Sequence, residues 1–310
     1  MAIDLEHYPE LETFIEDMHS RHGLSESDLR YWFGQVQIRD DIIDAMKRPR
    51  EALPWHEYRK QFVTKNHARL GQRFWRTNKA ALDRAQAQYG VPPEIILAII
   101  GIETQYGRNK GGYPVLDALT TLAFAYPPRS KFFRGELEQY LLLTEELKLD
   151  PLAIKGSYAG AVGLPQFIPS SYRHYAVDFD NDNKRDLLSS AADSIGSVGN
   201  YFKSHGWQAG EPIVDDTQLE GSHHIWFANL GIKPKLALKH FISYGIFPTS
   251  ANNPELRAAL FELEKESGPF YLFGYNNFYV ITRYNHSKNY AMAVVELSEL
   301  IKDLRMAGQK

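Results

Sequence analysis

The chain has 310 residues, 44% hydrophobic and 24% charged, with a net charge of −3 and no cysteine. That length holds one large domain or two to three smaller ones with material for a core. The acidic balance argues against nucleic acid as the main partner, the lack of cysteine excludes disulfides, thiolate metal sites and a cysteine nucleophile, and no apolar run approaches the roughly 20 residues of a membrane span.

Residues 9–90 read as a succession of helices, with Ser25 and Asn78 standing where N-caps belong. The start, "MAIDLEHYPE", is acidic and polar, unlike a secretory signal. The next helix is announced by Pro92 and Pro93, whose missing amide donors cost little at a helix start. It runs through "EIILAIIGIET", and Gly107 is expected to close it as a left-handed cap.

Glu103 is the anomaly of that helix. At 100° per residue it shares a face with Ile96, Ile99 and Ile100, so an ionisable carboxyl lies on the apolar side. It also lies in the last turn, where the dipole disfavours negative charge. Burial and dipole both push such a carboxyl toward its neutral form. One reading is a core-edge glutamate paired with Arg108 or another cation; the other is an acid held protonated to donate a proton, as glycosidases require.

Helices are expected again over "VLDALTTLAFAY" and "SKFFRGELEQYLLLTEEL", with Glu136, Glu138, Glu145 and Glu146 on a solvated charged face and Asp117 in a hydrogen-bonding role. Between 156 and 172 the chain reads "GSYAGAVGLPQFIPSSY". Gly156, Gly160 and Gly163 permit close approach of backbone to a ligand, and Ser157, Tyr158 and Gln166 offer hydrogen bonds. "DFDNDNKRD" follows, placing Asp178, Asp180, Asp182 and Asp186 at positions 1, 3, 5 and 9 of an EF-hand-like loop. The Lys184 carbonyl falls at position 7, Asn183 replaces the usual glycine at position 6, and Ser189 replaces the bidentate glutamate. Calcium of modest affinity is expected, with sodium as an alternative occupant.

A further helix spans "AADSIGSVGNYFKSH". After Trp207 the texture changes: "EPIVDD", "HHIWFA" and "FYLFGYNNFYVITRY" are β-branched or aromatic and read as antiparallel strands, with His223 and His224 on opposite faces of one of them. "KNYAMAVVELSELIKDLRM" is an amphipathic helix.

The ordered set "GIETQYGRN", "GSYAGAVGLPQFIPSSY", "VDFDNDNKRDL" and "IGSVGNYFKSHGW", with "WHEYRKQF" upstream and "ITRYNHSKNYAMAV" downstream, resembles the membrane-bound lytic murein transglycosylase B family, glycoside hydrolase family 103. The resemblance implies a mainly α, α+β protein with a lysozyme-like catalytic core, a helical flanking domain and a small antiparallel β-containing domain. On the sequence this divides as 1–90 helical region, 91–206 catalytic core with the EF-hand-like loop, 207–284 β-containing domain and 285–310 returning helix. It implies Glu103 as sole catalytic carboxyl, Ser157, Gln166 and Phe167 as part of the cleft, and Tyr58, Tyr284, Asn285 and Tyr290 lining it. The implied substrate is the glycan strand of peptidoglycan, cut between N-acetylmuramic acid and N-acetylglucosamine to give a 1,6-anhydro sugar. The implied location is the periplasm, soluble or lipid-anchored to the outer membrane. Two other readings stand beside it: a muramidase in which water attacks, and a non-catalytic peptidoglycan-binding protein, against which an acid retained among isoleucines argues.

Overall fold

A computed structural model describes residues 8–48, 53–250 and 253–307. The first seven helices are α1 (Pro9–His22), α2 (Glu26–Gln35), α3 (Asp40–Met46), α4 (Trp55–Phe62), α5 (Lys65–Thr77), α6 (Lys79–Tyr89) and α7 (Pro93–Thr104). Then come β1 (Tyr113–Pro114), α8 (Val115–Phe124), α9 (Ser130–Leu147), β2 (Lys155–Gly156), α10 (Pro169–Tyr175) and α11 (Ala191–Ser204). The last part holds β3 (Val214–Leu219), α12 (His224–Ala228), β4 (Leu236–Ala237), α13 (Leu238–Ile242), β5 (Ile246–Pro248), β6 (Arg257–Lys265), β7 (Gly268–Gly274), α14 (Asn276–Tyr284) and α15 (Lys288–Ala307). The chain is mainly helical with a small antiparallel sheet, as expected.

Contacts gather it into two compact units, each made of two separated segments: Met1–Pro49 with Gly107–Ser194, and Arg50–Tyr106 with Ile195–Lys310. Sequence texture suggested divisions at 90, 206 and 284, but compactness follows packing. Helix α7 packs with α5, α6 and α15, so it belongs with flanking segments rather than with the glycine-rich loop that follows it in sequence.

In the first unit α9 packs on α8 and α10, and β1 pairs with β2. One solvated glutamate is corrected here. Glu136 is buried, and its carboxylate accepts hydrogen bonds from the Ser170 amide (2.9 Å) and hydroxyl (2.6 Å) in the first turn of α10. It faces inward because Tyr140 and Thr144, at helical spacing from it, form the buried stripe of α9.

In the second unit α7 is apolar on all sides, with every residue from Ile95 to Ile102 buried, and α15 lies against it and against α5. The sheet runs β4-β6-β7-β3-β5, all antiparallel, over a core that includes Phe227, Phe241, Leu260 and Phe273. Two expected strands are helices. "HHIWFA" is α12, closed by i→i+3 bonds such as Trp226 to the His223 carbonyl, and it buries Phe227 while exposing Ile225 and Trp226. "NNFYVITRY" is α14, which packs on α15. Tertiary burial overrides the strand preference of aromatic and β-branched residues in both. Conversely "RAALFELEK", rich in helix formers, is the longest strand, β6.

Two smaller expectations also change. Ser25 caps α2, accepting from the Asp28 amide, but Asn78 makes no such cap and instead donates its side-chain amide to the Phe74 carbonyl. Helix α7 ends before Gly107, at Gln105 (φ 49°), and Tyr106 (φ 61°) continues the left-handed turn. Non-glycine residues rarely adopt that geometry. Tyr106 holds it by folding its ring onto glycines: a Cβ on Gly71 or Gly101 would lie 2.5 or 2.6 Å from the Tyr106 hydroxyl.

Candidate active site

Glu103 occupies the last turn of α7, half-buried, one residue before the helix stops. The isoleucines that flank it in sequence face the packed interior, and the surroundings of its carboxyl come from α15 and α14. Tyr290, on α15, donates its hydroxyl to Glu103 Oε1 at 2.6 Å. The Tyr290 ring stacks parallel to that of Tyr284, with centroids 6.4 Å apart and planes 8° apart. Tyr284 in turn meets Tyr201 of α11 edge-on at 5.0 Å, and the Tyr201 hydroxyl donates to the Arg283 carbonyl at 2.6 Å.

Burial, and then the Glu103 charge, hold the Tyr290 and Tyr284 hydroxyls well above the ordinary tyrosine range. Both therefore remain protonated donors throughout the working pH range, and neither is a base. Tyr58, on α4, is buried at 2% exposure against Phe62 and adds a smaller electrostatic effect on Tyr290. Asn285 caps the turn into α15, its side-chain oxygen accepting from the Ser287 amide at 3.2 Å. Within the second unit, Tyr290 meets Glu103, Tyr284 feels its charge, and Tyr58 acts on Tyr290. Tyr201 joins them unannounced, since a lone tyrosine in "GNYFKSH" carries no signature of its own.

Ser157, Gln166 and Phe167 lie in the first unit. Ser157 Oγ accepts from the Ala159 and Ala161 amides at 3.2 and 3.0 Å, which tightens the glycine-rich turn and leaves the hydroxyl hydrogen to donate. Gln166, at φ 51°, donates its side-chain amide to the Gly163 and Lys110 carbonyls. Phe167 is buried at 2% exposure and forms a backbone bridge with Val162, so its ring supports the loop from inside. The glycines expected to admit a ligand admit the protein instead. A Cβ on Gly156 would stand 2.2 Å from the Ala161 carbonyl oxygen, and one on Gly163 (φ 77°) 2.3 Å from that of Leu187.

The acidic loop is built in the same unit. Carboxylate oxygens of Asp178, Asp180 and Asp182 lie within 4.8 Å of one another, and Asn181 and Asn183 take left-handed backbone (φ 62° and 68°), the geometry position 6 demands. Three oxygen donors at that separation suit a hard cation. Asp186, expected at position 9, accepts from the Leu188 and Ser189 amides and the Ser189 hydroxyl and so closes the loop; it is not within the group of three. Buried Asp193, which the spacing argument did not pick out, braces the loop from behind by accepting from the Phe179 and Asp186 amides at 2.6 and 2.8 Å. Asp117 accepts from the Gln37 amide at 3.1 Å, the hydrogen-bonding role expected of it.

Residues 6–299 match the family model described as the transglycosylase SLT domain. The chain is 40% identical to the membrane-bound lytic murein transglycosylase B of Escherichia coli (strain K12) over 97% of this chain and 85% of that protein. The structure of the soluble lytic transglycosylase SltB1 from Pseudomonas aeruginosa superposes with a TM-score of 0.90 at 43% identity, covering 96% of this chain and 99% of that one. The Escherichia coli lytic transglycosylase Slt35 in complex with calcium gives 0.89 at 40% identity, covering 99% and 96%.

Proposed function

The chain belongs to the B-type family of lytic murein transglycosylases, enzymes acting on peptidoglycan, and we infer that Glu103 is its one catalytic carboxyl, first acid and then base. The observation that carries this reading is the 2.6 Å hydrogen bond from Tyr290 to Glu103 Oε1. It fixes one carboxyl oxygen with a neutral donor and so sets the orientation of the carboxyl.

Glu103 begins protonated and gives its proton to the oxygen between N-acetylmuramic acid and N-acetylglucosamine as that bond breaks. The substrate's own acetamido carbonyl stabilises the cationic ring carbon, so a second protein carboxylate is not needed. Glu103, now anionic and steadied by the Tyr290 hydroxyl, takes the proton of the C6 hydroxyl. That oxygen attacks the anomeric carbon and closes the 1,6-anhydro ring. Tyr58, Tyr284 and Asn285 bound the glycan beside Glu103. For Ser157 and Gln166 the proposal is limited to the groups they still offer, a hydroxyl hydrogen and a side-chain carbonyl oxygen, and Phe167 contributes through the loop backbone.

Asp178, Asp180, Asp182 and the Lys184 carbonyl hold one calcium ion, with water completing the shell. The ion's part is to neutralise the loop, and no step of the chemistry passes through it. The oxygen-only donor set and the relative crystallised with calcium support this reading. No described helix is long and apolar enough to cross a membrane; the enzyme works in the periplasm, where its substrate lies, soluble or held at the outer membrane by a lipid. Mass spectrometry of fragments released from purified peptidoglycan tests the reaction: anhydro products lighter by one water than hydrolysis products are expected, and full-mass reducing ends would replace transglycosylation with hydrolysis.

A further inference from the structure

Helix α12 and the segment after it carry a surface that the glycan chemistry does not use. Ile225, Trp226 and Leu230 are 55%, 62% and 43% exposed, while Phe227 among them is buried in the sheet's core. Single exposed apolar residues are ordinary, but three large ones within six positions form a patch that a partner would cover. Trp226 and Leu230 line a shallow groove together with Lys233 and Lys235, and both lysines are exposed, with no carboxylate paired to them among the described residues. From Ile225 to Ile242 the sequence holds three lysines and no aspartate or glutamate, in a chain whose net charge is −3. Lys239 is paired with a carboxylate, Glu255 at 2.9 Å, and Lys233 lies over the Tyr279 ring, 6.0 Å from its centroid.

We propose that this face docks on an anionic phospholipid surface. Indole rings favour the headgroup boundary, aliphatic side chains enter the acyl edge, and lysines beside them meet lipid phosphates. The neighbours of Trp226 decide against a sugar platform. Such a platform needs amides or carboxylates around the flat ring, whereas here Trp226 shares its groove with Leu230, Leu236 and two lysines, and Asn229 commits its side-chain amide to the Ile225 carbonyl at 2.8 Å. The docking needs no covalent lipid and holds the sheet end of the second unit at the bilayer.

Flotation of the unacylated full chain with vesicles tests it, using phosphatidylglycerol–phosphatidylethanolamine vesicles against phosphatidylcholine alone. The wild type floats with the anionic vesicles only, and high salt releases it. Ile225→Ser with Trp226→Ser abolishes flotation. Lys233→Gln with Lys235→Gln, which leaves the apolar patch and the core intact, weakens it by roughly 25-fold, about fivefold per lysine. Both variants release peptidoglycan fragments at the wild-type rate. A wild type that stays in the buffer overturns the proposal, as does lysine-variant flotation equal to the wild type's. Loss of binding to purified peptidoglycan in Trp226→Ser, with flotation unchanged, would overturn it in favour of a glycan surface.

Discussion

The two acidic centres of this molecule are built on opposite plans. At Glu103 a single carboxyl is half-buried among tyrosine rings and receives the hydroxyl of Tyr290. In the loop over 178–186 several carboxylates crowd together, largely exposed, and backbone amides meet them: Asp182 and Asn183 donate to Asp178, and Lys184 to Asp182. An apolar setting disfavours the charged form of a lone carboxyl, and a general acid must begin neutral. A cluster of exposed carboxylates offers several oxygen donors at one place, which is what a hard cation needs. Local environment, not residue type, separates the two roles.

The sharpest way to break that contrast is to neutralise one carboxylate in each centre. Glu103→Gln should lower turnover by at least ~10²–10⁴-fold, since the amide can neither give nor recover a proton, while Asp180→Ala should keep its rate at 25 °C. Release of peptidoglycan fragments measures both, and equal losses would erase the distinction. Tyr290→Phe comes next. Removing a hydroxyl that donates to a carboxylate costs about 1.5–3 kcal/mol, so kcat should fall roughly 10- to 100-fold with KM little changed. A change confined to KM would make Tyr290 a binding residue only.

Calcium should then raise the melting temperature of the wild type, by about 2.7 kcal/mol of stability at 100 times its dissociation constant, and leave Asp180→Ala unmoved. An equal rise in both would remove the loop as the site. The smallest expected effect is at Glu136. Burial holds its carboxyl above the ordinary glutamate value of 4.5, in spite of the Ser170 bonds that oppose the shift. The folded state therefore favours the neutral form, and this contribution to stability is complete at pH below 4.5 and lost as pH rises through the raised value. Glu136→Gln does not titrate, so the wild type's melting temperature should fall relative to the variant's as pH increases. A constant difference would contradict the assignment.

Glu103 and the acidic loop were legible in spacing, whereas Tyr58, Tyr284, Asn285 and Tyr290 came only through the family resemblance. Glu103 stood out because a carboxyl on an isoleucine face is a local contradiction visible in a dozen residues. The loop aspartates stood out because their alternation matches a ligand geometry. Tyr201 and the stacking of Tyr284 on Tyr290 depend on where α11, α14 and α15 come to lie, which no short window encodes. Asp186 fitted the spacing of a ligand, but its carboxylate is taken by the amides two and three residues on, a choice made by local backbone shape. Glu136 was grouped with solvated glutamates although its spacing to Tyr140 and Thr144 already placed it on the buried stripe. In the sheet region, aromatic richness suggested strands where burial of one ring, Phe227, and packing of α14 on α15 chose helices.

The central claim is that one carboxyl gives its proton to the leaving oxygen and recovers one from the sugar's own C6 hydroxyl, with water taking no part. Digesting purified peptidoglycan in oxygen-18 water tests it most directly, with the products weighed by mass spectrometry. Anhydro products free of the heavy isotope are predicted for the wild type, and no products for Glu103→Gln. Heavy oxygen at the newly formed sugar ends would contradict the account.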